Sequence, residues 1–116
     1  MSGSTSRRKG NRAEVEVVNL LRSHGYNVET SRSARGGYQS GADIVGDFPM
    51  VIEVKNQAKL NLAGWWAQAE YQANGKLPVV IHKRVGKSDP AEWWVTMDVQ
   101  TLLRLLGESE AVSEIS

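Results

Sequence analysis

The sequence predicts a single α/β domain, a mixed sheet of about five strands with helices on both faces. Three observations carry the prediction. Helical spacing of apolar residues recurs near the start, in the middle and near the end of the chain, while five short β-branched or alternating runs lie between. The order is helix, three strands, helix, two strands, helix, which a layered sheet with covered faces accommodates most simply. At 116 residues, with no internal repeat, the chain supports one hydrophobic core and not two.

Met1 to Arg7 is small, polar and basic, and is expected to be a disordered tail; residues 8–107 are expected to form the domain. From Arg8 to His24 the residues Ala13, Val17, Val18, Leu20 and Leu21 mark one helical face, with Gly25 at the position of a C-terminal cap. Tyr26 to Arg32 alternates loosely and predicts a strand. Ser33 to Gly41, SARGGYQSG, predicts a glycine-rich loop that lets backbone approach a ligand closely. Ala42 to Val45 and Met50 to Val54 are apolar runs flanking Gly46-Asp47-Phe48-Pro49, and so predict a hairpin.

Asn61 is placed to cap a helix whose stripe is Leu62, Trp65, Trp66, Ala69 and Ala73, closed by Asn74-Gly75. Tandem tryptophans there suit either the core or an interface with a second copy of the chain. Leu77 to Val85 predicts a strand, Gly86 to Pro90 a loop, and Glu92 to Asp98 a strand with Trp93, Val95 and Met97 facing one way. Val99 to Leu106 predicts a short helix stopped by Gly107, and residues 108–116 a frayed acidic tail.

Composition removes several classes of function. There is no cysteine, so disulfide frameworks and thiolate metal sites are excluded. No apolar run approaches the roughly 20 residues of a membrane-spanning helix, and the expected setting is the cytoplasm, away from membranes. Charge is uneven: Arg7, Arg8, Lys9, Arg12, Arg22, Arg32 and Arg35 face three acids in the first 40 residues, a balance of +4 within a chain of net +1. A basic face of that kind suits a polyanion.

Acidic residues stand where the pattern asks for apolar ones. Asp43 opens the first hairpin run, Glu53 and Lys55 share a face of the second, and Glu14 lies along the apolar stripe of the first helix. Carboxylates on a half-buried sheet are costly unless a cation compensates them. His24 and His82 have no serine or cysteine partner in any local motif, and two histidines are too few for a histidine zinc cluster. The oxygen ligands Glu14, Asp43 and Glu53 remain, and oxygen-only ligation selects Mg²⁺, Mn²⁺ or Ca²⁺. A hard metal, a lysine and a basic face together describe phosphodiester hydrolysis, with Lys55 steadying developing charge or positioning the water.

Asp43, Glu53-Val54-Lys55 and Gln57, with Glu14 on a preceding helix, resemble the PD-(D/E)XK nuclease superfamily. Arg8-Lys9-Gly10-Asn11-Arg12-Ala13-Glu14 is similar to the opening of the archaeal-type Holliday junction resolvases within it, and the likeness covers residues 8 to 85. It implies a restriction-endonuclease-like core and an Mg²⁺-dependent endonuclease, with Mn²⁺ able to substitute. Glu14, Asp43, Glu53 and the Val54 carbonyl would hold the metal, Lys55 would be catalytic and Gln57 supportive. It also implies a homodimer that nicks a four-way DNA junction symmetrically, with Arg8, Lys9, Arg12, Arg32, Ser33, Arg35 and Ser40 as candidate DNA contacts. Ala42 replaces the proline that often precedes the first acid, the Gly-Gly-Tyr loop is long, and Ser33 and Ser40 both fit the serine found before it. A restriction-like, nicking or repair nuclease, and a binding module that no longer cleaves, are the alternatives.

Overall fold

The computed structural model describes residues 2–33 and 43–115, with side chains for 8–33 and 43–107. Helix α1 (Ser2–Ser23) is followed by strands β1 (Val28–Thr30), β2 (Ile44–Gly46) and β3 (Met50–Lys55). Helix α2 (Leu62–Gln72), strand β4 (Leu77–His82), a 3₁₀ turn (Pro90–Glu92), strand β5 (Trp94–Thr96) and helix α3 (Val99–Ile115) complete the chain. The five strands form one sheet in the order β1-β2-β3-β4-β5, antiparallel except for the β3–β4 pair. The parallel pair needs a crossover, and α2 supplies it.

Alternation along the central strands divides the core between two faces. Ile52 and Val54 of β3 and Val79 of β4 pack with Ala13, Val17 and Val18 of α1, together with Val28, Ile44 and Trp93. On the opposite face Val80 meets Trp65 and Ala69 of α2, and Val51 meets Ala73. Glu53 therefore lies on the α2 face, in register with Val80.

The expected caps are present. Gly25 takes φ +93°, and Asn74 and Gly75 take +48° and +89°, the left-handed conformations that end α1 and reverse the chain after α2. Asn61 Oδ1 accepts a hydrogen bond from the Gly64 N–H at 3.2 Å. Asp98 does the same for α3, its Oδ1 accepting from the Thr101 N–H at 2.8 Å.

Several expected boundaries move. Helix α1 begins at Ser2, inside the stretch read as a disordered tail, because no proline interrupts residues 2–8 and a helix nucleated by the packing of Ala13 and Val17 extends at low cost. Helix α3 runs through Gly107 to Ile115 instead of stopping; a glycine inside a helix costs about 1 kcal/mol, too little to end it by itself. Strand β4 ends at His82, not Val85, since its partner β3 ends at Lys55. Trp93 belongs to the end of the 3₁₀ turn, so the expected alternation begins only at Trp94; Trp93 is buried while Val95 is exposed. The loop expected at Ser33 to Gly41 lies almost wholly outside the described residues, as do Arg35, Ser40 and Ala42.

Candidate active site

Strands β2 and β3 form a hairpin whose closed end is the turn at 47–49; the acids lie at its open end. Asp43, one residue ahead of β2, is joined to β3 by its N–H, which donates to the Ile52 carbonyl at 3.1 Å, and its carboxyl lies beside that of Glu53. Two carboxylates thus converge from adjacent strands. The Val54 N–H donates to Asp43 Oδ2 at 2.7 Å, so one Asp43 oxygen is held in place by the strand beside it.

Glu53 is the unusual member. It is 1% exposed, and both its carboxylate oxygens are buried without a hydrogen-bond partner. Burial, then the adjacent Asp43 carboxyl, push its titration up to about 9 from an ordinary 4.5. An acid in that setting is stable only when protonated or when a cation replaces the proton. The donor set at this point, carboxylate and carbonyl oxygen with no sulfur or imidazole, suits a hard divalent cation, so Asp43, Glu53 and the Val54 carbonyl fit one.

Glu14 reaches the same cavity from α1. Its Oε1 accepts from Arg32 Nη2 at 3.0 Å and from Arg32 Nε at 3.2 Å. Burial and the charge of Asp43 raise the Glu14 carboxyl above the usual range, and Arg32 pulls against them. Among the described residues no three acidic or histidine side chains are grouped closely enough to enclose an ion alone. Backbone and solvent or phosphate oxygens would complete the shell around Asp43 and Glu53.

The cavity in front of these acids has a volume of about 490 Å³; Lys9, Asn11, Glu14, Asp43, Lys55 and Gln57 are among the residues lining it. Lys55 Nζ donates to Gln68 Oε1 of α2 at 2.7 Å. Gln68 was not singled out by sequence. The signal was available, because Gln68 stands three residues after the buried Trp65 and next to the buried Ala69, on the sheet side of α2. Asn56, also passed over, lines the cavity and points its Nδ2 at the Lys9 carbonyl at 3.5 Å.

The structure thus brings together Glu14, Asp43, Val54, Lys55, Gln57 and Lys9 around one cavity, with Glu53 beneath it. Arg8 and Arg12 are exposed on α1. Arg32 is engaged by Glu14, and the Ser33 hydroxyl donates to the Thr30 carbonyl at 3.0 Å. The histidines stand apart as expected. His24 is exposed beyond α1, and His82 is buried, with Nε2 2.8 Å from Thr96 Oγ1 and its ring 5.3 Å from that of Trp65.

A family model described as "Phage putative PDDEXK endonuclease" matches residues 5–114. No curated protein and no solved structure matches the chain.

Proposed function

The chain belongs to this family of phage PDDEXK endonucleases, and on that premise we propose that it is a Mg²⁺-dependent DNA endonuclease, acting as a homodimer, whose preferred substrate is a four-way junction nicked symmetrically. The observation that carries the metal-dependent reading is the buried, unpartnered Glu53 carboxylate beside that of Asp43. Asp43, Glu53 and the Val54 carbonyl would hold the ion, and Glu14, one of whose oxygens accepts from Arg32, would support the site from α1. When bound, a divalent cation lowers the pKa of a ligated water and neutralises phosphate charge.

The chain's own groups do the rest. Lys55, on the same strand face as Glu53, presents an ammonium to charge developing on the phosphate or orients the attacking water. Gln68 holds that ammonium by accepting one of its three hydrogens, leaving two for the substrate. The arrangement is ordered before substrate arrives, because both members sit on regular elements packed against each other. The α1 residues Arg8, Lys9 and Arg12 supply positive charge beside the cavity.

The junction and dimer readings rest on the RKG-x-x-AE stretch of α1, residues 8–14, and on an apolar stripe of α3. Val99, Leu102, Leu103 and Leu106 follow the spacing i, i+3, i+4, i+7, and all four are exposed. A two-fold dimer carries two cutting sites at a fixed separation, which a DNA of matching symmetry fills at once.

The test is cleavage of matched linear, flapped and four-way DNA with Mg²⁺ and with chelator. Asp43→Asn, Glu53→Gln and Lys55→Ala are each expected to lower the rate by orders of magnitude with DNA binding retained; Gln68→Leu is expected to lose less. Full activity in chelator, or in any of the first three variants, refutes the site. Equal affinity for linear and four-way DNA moves the substrate to the restriction-like alternative.

A further inference from the structure

We infer that the segment following β4 forms a second DNA-backbone track, in which Lys83 and Arg84 hold phosphates adjoining the one at the active site. The inference rests on the nuclease reading above for the identity of the polyanion. Lys83 and Arg84 add to Lys9, the one sequence-predicted α1 contact that also lines this hollow.

A hollow of about 170 Å³ is lined by Lys9, Asn56, Gln57, Ala58, Lys83 and Arg84, with the Val85-Gly86 turn at its edge. The first four of these also line the active-site cavity, so the two hollows form one continuous groove. Among the described residues no acid lines the second hollow, whereas three cations do. The Lys83 N–H donates to the Lys55 carbonyl at 3.0 Å, which ties this segment to the catalytic strand about one strand spacing, roughly 4.8 Å, away.

Among the described residues, neither Lys83 nor Arg84 is paired with a carboxylate; the next cation, Lys87, is paired with Glu92 at 3.3 Å. Lys83 Nζ lies 5.5 Å from the Trp93 ring centroid, and the Arg84 guanidinium lies 4.1 Å over Trp94. Arg84 Nη1 also donates to the Glu92 carbonyl at 3.1 Å. The two charges are thus held in place by aromatic faces and a backbone oxygen without being neutralised. A pre-positioned, uncompensated cation loses little freedom when it meets a phosphate. Two acids, Glu14 and Asp43, line the catalytic cavity, so a polyanion entering it meets repulsion that cations outside the metal shell must offset.

The experiment measures the dissociation constant of the full chain for one duplex across a range of salt, without divalent metal so that nothing is cut, for the wild type, Lys83→Gln/Arg84→Gln, and Arg84→Lys. The double variant is expected to bind at least tenfold more weakly, with the slope of log Kd against log salt reduced by about 1.8, two phosphates' worth at 0.9 each. Arg84→Lys keeps the charge and loses the planar stack, so it is expected to keep the wild-type slope; a slope as low as the Gln variant's would assign Arg84 a purely structural role. Lys83→Gln alone, expected to lower the slope by about 0.9, decides the matter should the double variant misfold. Wild-type slopes and affinities in the folded Gln variants overturn the track. Because cleavage is not the readout, a wild type that binds DNA with this charge dependence yet cuts nothing with Mg²⁺ overturns the nuclease reading and leaves the track standing.

Discussion

Glu53 concentrates the energetics of the site in one side chain. Its folded-state titration, near 9, lies far above the unfolded value of 4.5, so the folded protein binds the proton more tightly. By linkage, the stability associated with that proton is complete below pH 4.5 and is lost progressively as pH rises through about 9. At 1.36 kcal/mol per unit, the loss between pH 5 and 8 is at most about 4 kcal/mol for the metal-free protein. Glu53→Gln has no proton to give up and is expected to show a shallower decline. Urea unfolding of both proteins in chelator at pH 5 and pH 8 measures the difference. Glu14, shifted in the same direction by burial and Asp43, is present in both and cancels. Identical pH dependence in the two proteins would remove Glu53 from the role given to it.

Among the elements, the hairpin and the edge strand beside it depend on one glycine. Gly46 pairs with Val28 across the β1–β2 ladder. A Cβ there would lie 2.5 Å from the Asn27 carbonyl oxygen and 2.6 Å from Val28 Cγ1. Backbone on one side and a buried core valine on the other leave nothing to yield. Gly46→Ala is therefore expected to destabilise the fold by about 1–3 kcal/mol, as overpacking of a filled site does. Gly107→Ala, where an added Cβ meets nothing within 4 Å, is the matched control and is expected to be neutral or stabilising. Equal unfolding midpoints for the two variants would show that β1 shifts freely away from β2.

At the scale of the whole molecule, apolar surface remains uncovered. Trp65 and Trp93 are buried and Trp66 packs against the Trp65 cluster, which leaves Trp94, 51% exposed, as the tryptophan at the surface. The larger uncovered area is the α3 stripe, and the proposed dimer buries it against its own copy. Sedimentation of the 12.8 kDa chain at micromolar concentration is expected to give twice that mass, and Leu103→Glu/Leu106→Glu the monomer. A monomeric wild type would count against both the interface and paired cutting.

What the sequence determined by itself was local. Helical spacing set which faces of α1 and α2 turn inward, the turn residues at 46–49 set the hairpin, and the misplaced acids Asp43 and Glu53 with Lys55 marked the site, because each of these signals is complete within a few neighbouring residues. Tertiary structure decided what depends on segments distant in the chain. It ties Arg32 to Glu14 across 18 residues and Lys55 to Gln68 across 13. It also sorts buried tryptophans from the exposed one, and sets Lys83 and Arg84 beside the catalytic groove. The physical reason is that a carboxylate's burial and a cation's partner are properties of the space around the side chain. That space is filled by whichever segments the fold packs there, and the periodicity of a single stretch does not record them.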